Sequence, residues 1–125
     1  METNALVQKA ELELLAPALR QNSVQVRDVL HPNFVEIGRS GKRWTRELII
    51  ADLLNEVDRD APVTAEWDFV ALSDDLTLVT YLIRGTEHDS RHSSLWDTSS
   101  GQPIIRFHQG TIVAEKSSQD PIASV

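Results

Sequence analysis

Cysteine is absent from this sequence of 125 residues. Disulfides, thiolate metal sites and cysteine nucleophiles are therefore all excluded, and a chain without disulfides suits a reducing compartment. The N-terminus lacks the basic start and the apolar run of a signal peptide. No apolar stretch approaches the ~20 residues that a membrane-spanning helix requires. We expect a soluble, cytoplasmic protein that has no membrane partner.

Positive charge is also scarce, because 12 lysine and arginine residues face 19 aspartate and glutamate residues, for a net charge of −7. Such a chain repels a phosphate backbone, so we expect no nucleic-acid partner. Basic side chains nevertheless crowd one short stretch, at Arg39, Lys42, Arg43 and Arg46. This stretch is typical of a solvated loop and helix face, and it would also suit a clamp for an anionic group.

The length and composition are those of one globular domain. Apolar residues make up 41% of the chain and charged residues 25%. This apolar fraction is enough to form a core without disulfides or structural metal ions. No repeat, low-complexity tract or linker divides the chain. We expect a single domain over residues 1–114 and a polar, frayed tail over residues 115–125.

Helical periodicity predicts three helices in the first half of the chain. The first covers residues 4–21, with a kink or a new turn at Pro17, and its apolar stripe leaves Glu11 and Glu13 on other faces. The second covers residues 24–30. The third covers residues 45–58 and begins at a Thr45 cap. Its predicted core stripe is Leu48, Ile49, Leu53, Leu54 and Val57.

The remaining segments have the period of two that is typical of strands. A short strand over residues 34–37 lies between the second and third helices. Four more strands follow as a meander, over residues 63–72, 76–86, 92–98 and 103–113. A meander sheet must bury one apolar face against another element, and the predicted helices are the elements that can pack on it. We therefore predict the α+β class.

Two short segments, together with this order of elements, resemble a known superfamily. Residues 34–41 read Phe-x-Glu-x-Gly-x-Ser-Gly and lead to Trp44, and residues 107–111 read Phe-His-Gln-Gly-Thr. They resemble the nuclear transport factor 2-like superfamily, which includes ketosteroid isomerases and polyketide cyclases. Within it they are similar to a bacterial subgroup that has no characterised activity. The resemblance covers the chain from about residue 4 to residue 113.

The resemblance implies a cone, in which a strongly curved sheet wraps around the helices and leaves a pocket inside. It also implies that the first strand lies beside the last, so that Glu36 neighbours His108 and Gln109. Members often pair through the outer face of the sheet, which implies a homodimer. Ketosteroid isomerases place a tyrosine in the first helix, whereas the single tyrosine here is Tyr81 in a late strand. Their mechanism is therefore not carried over.

Glu36 is the candidate catalytic residue, because a carboxylate buried in the concave face would have a raised pKa and could act as a base. It could equally form a structural pair with His108 or Gln109. Strand alternation groups His108 with Arg106, opposite Ile105, Phe107 and Gln109. This grouping predicts that His108 faces a dimer interface or solvent.

Aromatic and polar side chains supply the candidate ligand-binding residues. They are Trp44, Tyr81, Arg91, Trp96, His108 and Gln109, among which the three aromatic rings could equally be core. His88 and His92 flank a turn, which rarely brings enough ligands together for a metal, so we expect no metal site. No phosphate-binding loop or dinucleotide fingerprint occurs, and no cofactor is expected.

The residues leave three functions open. The leading hypothesis is a small-molecule-binding domain that uses the interior of the cone. The first alternative is an isomerase, cyclase or hydrolase with Glu36 as acid or base in that pocket. The second is a dimerisation or protein-interaction module whose interior is filled by its own side chains.

Overall fold

In the part of the chain that the structure describes, six strands form one curled sheet, and four helices lie on its concave side. The computed structural model describes residues 2–55 and 60–114. The elements in chain order are α1 (Thr3–Leu15), α2 (Pro17–Arg20), α3 (Ser23–Val29), β1 (Leu30–Ile37), β2 (Arg43–Thr45), α4 (Arg46–Leu54), β3 (Val63–Ala71), β4 (Leu76–Arg84), β5 (Ser90–Asp97) and β6 (Ile104–Ile112). The predicted α+β architecture is confirmed. The predicted tail over residues 115–125 lies outside the described residues.

The strands follow the order β2-β1-β6-β5-β4-β3 across the sheet. Strands β3 to β6 form the predicted antiparallel meander. Strand β1 pairs in parallel with β6, and this places Glu36 opposite His108 and Ile37 opposite Gln109. Glu36 therefore lies beside His108 and Gln109, as the resemblance implied. Among the described residues, no helix combines the length and the apolar character needed to cross a membrane.

Proline divides the first predicted helix into two. Ala16 is extended, with φ −76° and ψ 139°, and Pro17 is the first residue of α2. The residue before a proline is pushed towards extended geometry, and proline itself suits the first position of a helix. The turn after β1 also holds more structure than predicted, because residues 43–45 form the short strand β2 against β1.

The predicted stripe of the third helix is partly wrong. Ile49, Ile50 and Leu53 are buried, whereas Leu48 keeps 51% of its surface exposed. Helix α4 begins only at Arg46, after the Thr45 hydroxyl accepts a bond from the Leu48 amide at 3.4 Å, so Leu48 lies in the first turn on the solvent side. Val57 lies outside the described residues.

The buried core lies between the helices and the concave face of β1, β4, β5 and β6. Val7, Val26, Val79, Trp96 and Ile105 have at most 1% of their surface exposed. These side chains come from two helices and three strands that are far apart in the chain. The core therefore fixes α1 and α3 on the sheet, and it leaves one end of the cone open above it.

Arg46 ties the start of α4 to the junction of α3 and β1. Its Nη2 donates to the Arg27 carbonyl at 2.8 Å and its Nε donates to the Leu30 carbonyl at 3.3 Å. The carbonyls at the end of a helix have no partners within the helix, so a charged donor stabilises them. Through these bonds Arg46 helps to hold α4 over the sheet.

We expect Arg46→Met to lower the free energy of unfolding by about 1–2 kcal/mol, because the partly buried Leu30 carbonyl and the exposed Arg27 carbonyl both lose a charged donor. Urea unfolding measures this change. Arg43→Met is the control, because Arg43 is an exposed basic residue on the neighbouring strand, and its effect should stay within about 0.5 kcal/mol. Equal losses in the two variants would contradict the role given to Arg46.

Candidate functional site

A carboxylate is buried at the centre of the cone. The side chain of Glu11, on α1, keeps only 1% of its surface exposed. Tyr81 Oη donates to Glu11 Oε2 at 2.7 Å, and Trp96 Nε1 donates to Glu11 Oε1 at 2.8 Å. His108 Nδ1 lies 3.8 Å from Glu11 Oε2. Burial nevertheless outweighs these bonds and raises the pKa of Glu11 above its usual value.

The prediction that Glu11 lies on a face away from the core is wrong. Val7 is fully buried, and Glu11 follows it by four residues, which puts both on one face of α1. Leu14 continues the same stripe. Two features of the sequence would have identified this site. One is an acid at a core position of an apolar helical stripe, and the other is the presence of aromatic side chains with N–H or O–H donors in the strands.

A chain of hydrogen bonds runs beside this carboxylate along the inner face of β5 and β6. Ser94 Oγ lies 2.6 Å from His108 Nδ1, and His108 Nε2 lies 3.0 Å from His92 Nδ1. His92 Nε2 lies 2.7 Å from Ser90 Oγ. The two imidazole rings are stacked, with centroids 5.1 Å apart. Every ring nitrogen therefore has a partner, and we call these four side chains, from Ser94 to Ser90, the polar chain.

Both imidazoles of the polar chain are neutral at neutral pH. Burial and, to a smaller extent, the neighbouring His108 together lower the pKa of His92 to about 4. Burial also lowers the pKa of His108 to about 4, with a smaller contribution from the charge of Arg20. A neutral imidazole carries one donor and one acceptor nitrogen, so each ring can pass on a hydrogen bond in only one direction at a time.

A β-bulge in β6 brings His108 into the interior. Ile105 pairs with Trp96, but Phe107 pairs with Leu95, so one extra residue lies between the two pairs. The extra residue reverses the alternation of side chains. Ile105 and His108 consequently share the concave face, and the prediction that His108 faces solvent or a dimer interface is wrong. Gly110 lies two residues further along, where a Cβ atom would come within 2.8 Å of the His92 ring.

An open cavity of about 780 Å³ lies beside the polar chain. Its helical side carries Leu14 and Leu15 from α1 and Ile49 and Leu53 from α4, together with the charged side chains of Glu11 from α1 and Arg20 from α2. Polar groups approach mainly from the strands and the turns that join them. They are Glu36, Arg39, Ser90, His92 and His108. This volume lies in the range of about 300–1,000 Å³ that is typical of small-molecule sites.

Some of the predicted site residues reach this cavity. Glu36 is half-buried and lines it, on the strand face shared with buried Phe34. Trp44 also lines it, with Lys42 Nζ 3.8 Å from the centroid of its ring. His108 lines it as well, through the bulge described above. The functional roles of these three residues stay predictions.

The other predicted ligand-binding residues do not line the cavity. Tyr81 and Trp96 are fully buried beneath it and bond to Glu11 instead. Arg91 alternates with inward-facing His92, so its side chain lies on the outer face and pairs with Glu66 at 3.4 Å. Gln109 alternates with His108 and is exposed on the same outer face. The bulge that turns His108 inwards also turns Gln109 outwards.

The two histidines that flank the predicted turn have different surroundings. His88 is exposed in the turn between β4 and β5, whereas His92 lies on β5 within the polar chain. In the part of the chain that the structure describes, no group of three or more histidine, aspartate or glutamate side chains is arranged to hold a metal ion.

Comparison with solved structures identifies the architecture. A nuclear transport factor 2-like protein from Cytophaga hutchinsonii matches with a TM-score of 0.77 at 18% identity, over 90% of this chain and 100% of that one. A putative calcium/calmodulin-dependent kinase II association domain from Exiguobacterium sibiricum matches with a TM-score of 0.75 at 14% identity, over 93% and 97% of the two chains. The chain has the nuclear transport factor 2-like fold.

A nuclear transport factor 2-like protein of unknown function from Prochlorococcus matches over 94% of this chain and 98% of its own, with a TM-score of 0.72 at 10% identity. No protein-family model matches the sequence, and no curated protein does. At these identities the nuclear transport factor 2-like fold is shared, and the chemistry of the site has to be argued from this chain's own residues.

Acidification should destabilise the protein through the two histidines. Because their pKa falls from 6.5 to about 4 on folding, the unfolded state binds more protons between these values. Stability is then complete above pH 6.5 and is lost as the pH falls towards 4, by about 1.4 kcal/mol per pH unit for each histidine. Glu11 acts in the opposite direction, because its raised pKa makes the folded state bind a proton more tightly.

Urea unfolding between pH 7 and about pH 4 measures this dependence. His92→Gln and His108→Gln should each flatten the profile, since each removes one titrating group. His88→Gln is the control, because that histidine is exposed and outside the polar chain. A steep loss of stability that survives in both buried-histidine variants would contradict this account.

Proposed function

We propose that this domain binds a small molecule that has an apolar body and one polar end. The observation that carries the proposal is the open cavity of about 780 Å³, which is lined by apolar side chains of α1 and α4 and by a few polar groups, among them Glu11 of α1 and His92 of β5. Burying apolar ligand surface supplies affinity, and a few fixed polar groups set orientation. An open cavity of this size counts against the alternative of a module with a filled interior.

A catalytic role for Glu36 is the second candidate. Its side chain lines the cavity, and its strand pairing places it opposite His108. A carboxylate in that position could remove or return a proton of a bound molecule, as an isomerase or cyclase requires. Glu36→Gln separates binding from catalysis, because the amide keeps the shape of the side chain and removes the base.

Ligand binding can be tested with a pair of matched substitutions on α1. Leu14 lines the cavity, whereas Leu12, on the same helix, keeps 42% of its surface exposed. We expect Leu14→Trp to fill the cavity and Leu12→Trp to leave it open. The probe is a thermal-shift screen of phenols, cyclic ketones and aromatic carboxylic acids.

A compound at about a hundred times its Kd should stabilise the wild type and Leu12→Trp by about 2.7 kcal/mol. The same compound should leave the melting temperature of Leu14→Trp unchanged. The Leu14→Trp protein must first show the circular dichroism spectrum of the wild type. A compound that stabilises all three proteins equally binds outside the cavity and contradicts the proposal, as does a library that stabilises none of them.

We also propose that two copies pair through the outer face of the sheet. An apolar row crosses this face in register, from Val70 through Leu78, Leu95 and Phe107 to Val35. Leu95 is paired with Phe107 in the same row. Contiguous apolar surface of this kind is typical of interfaces, and one structural neighbour is described as a putative association domain.

We also propose, from the segments at residues 34–41 and 107–111, that the chain belongs to the uncharacterised bacterial subgroup. Its cytoplasmic location stays a prediction.

Sedimentation equilibrium tests the pairing. The wild type should have twice the 14.0 kDa mass of the chain, and Leu95→Lys should have the mass of one chain, because it places a charge in the centre of the apolar row. Gln102→Lys adds the same charge in the exposed turn before β6 and should leave the dimer intact. A monomeric wild type, or a dimeric Leu95→Lys protein, would contradict the proposal.

A further inference from the structure

Arg39 presents a positive charge at the opening of the cavity. The residue lines the cavity and is also exposed to solvent, which places it where the cavity meets the surface. Among residues 2–55 and 60–114, its guanidinium group forms no hydrogen bond or ion pair with another residue. The N–H donors of this group are therefore available to a molecule that enters the cavity.

The stem of Arg39 is held against the inner face of the sheet. A Cβ atom at Gly110 would lie 3.0 Å from Arg39 Cγ and 2.8 Å from His92 Cε1. Because glycine has no Cβ atom, the Arg39 stem and the His92 ring can both approach the backbone of β6 at this point. The segments at residues 34–41 and 107–111 thus meet at the wall of the cavity.

Backbone hydrogen bonds fix the turn that carries Arg39. The Gly41 amide donates to the Gly38 carbonyl at 2.9 Å, and the Gly38 amide donates to the Lys42 carbonyl at 2.9 Å. Gly41 has a φ of 90°, in the left-handed region that glycine adopts without strain. The backbone of Arg39 is therefore ordered before any molecule binds, and preorganisation of this kind lowers the entropic cost of binding.

The charges around the cavity favour a molecule with a single negative charge. Arg20 lines the cavity with Arg39, and so do Glu11, Glu36 and Glu87. Arg20 and Glu36 each already interact with another group of the protein, and Glu11 accepts bonds from two donors. The three carboxyl groups would repel a doubly charged phosphate more strongly than a carboxylate, which carries one charge and matches one guanidinium fork.

We propose that Arg39 determines the specificity of the cavity by binding the carboxylate of an apolar carboxylic acid. The inference rests on the proposed function, because it names the polar end of the molecule that the cavity would hold. The guanidinium group donates two parallel hydrogen bonds to the carboxylate, and the apolar body lies against Leu14 and Leu53. The ring nitrogens of the polar chain are already paired, so the charged group is held at the opening.

Four probes that share one naphthalene ring test this head group. They are naphthoic acid, naphthamide, naphthyl phosphate and naphthylmethylamine, and calorimetric titration of the full-length protein at neutral pH measures their affinities. We expect the acid to bind at least about tenfold more tightly than the amide, because hydrogen bonds between charged groups are stronger. The phosphate and the amine should both bind more weakly than the acid. Leu14→Trp should abolish binding of the acid, because it fills the cavity.

Variants of Arg39 separate its charge from the shape of the cavity. Arg39→Met keeps a long stem over Gly110 and removes the charge, so it should weaken binding of the acid by about tenfold to a hundredfold. It should leave the affinity for the amide unchanged. Arg39→Lys keeps the charge without the planar fork and should recover part of the loss. Arg43→Met removes the same charge from an exposed position on β2, away from the cavity, and should bind the acid as the wild type does.

Ionic strength gives a second readout. Added salt should weaken binding of the acid to the wild type, because it screens the pair at the exposed opening. It should have little effect on the amide, or on either probe with Arg39→Met.

An Arg39→Met protein that binds the acid as tightly as the wild type would overturn the inference, and so would an acid that binds no more tightly than the amide. Tighter binding of the phosphate or the amine would overturn the assignment of a carboxylate. In each of these cases a probe still binds the wild type and not Leu14→Trp, so the proposed function stands. Absence of binding by all four probes would overturn this inference, while the thermal-shift screen decides the proposed function separately.

Discussion

The burial of one carboxylate organises the interior of this protein. Leaving an ionised carboxylate in an apolar core without partners costs several kcal/mol, so the fold depends on the donors that reach Glu11. Tyr81 and Trp96 supply two of them at 2.7 and 2.8 Å, from adjacent strands. These bonds hold α1 against β4 and β5 at a defined position along the helix. They also fix two large aromatic side chains in the core.

The polar groups of the site depend on two local irregularities as much as on regular structure. The bulge between Ile105 and Phe107 turns His108 inwards. There its ring forms hydrogen bonds with the His92 ring and with the Ser94 hydroxyl. Gly110 then leaves room for the His92 ring, because a Cβ atom there would lie 2.8 Å from it. A regular strand with an ordinary side chain at position 110 would leave neither histidine where it lies.

The sequence predicted the architecture well and the site only in part. Period-two and helical patterns identified the main elements, and the resemblance placed Glu36 beside His108. Glu11 was missed because a charged residue was assumed to avoid the core, although its spacing from Val7 places it there. Gln109 was assigned to the interior because strict alternation does not reveal a bulge. Distant partners such as Tyr81 and Glu11 are invisible to local patterns, since 70 residues separate them.

The parallel pairing of β1 with β6 has a consequence for the order of folding. It joins residues 30–37 to residues 105–109, so the strand that closes the cone is the last of the described strands to be synthesised. Contacts of such long sequence separation form slowly, because a large loop must close first. The donors of Glu11 lie on β4 and β5, so its carboxylate has no buried partners until those two strands have formed. A nascent chain that stops short of β6 would expose its unfinished sheet edge and apolar faces to chaperones.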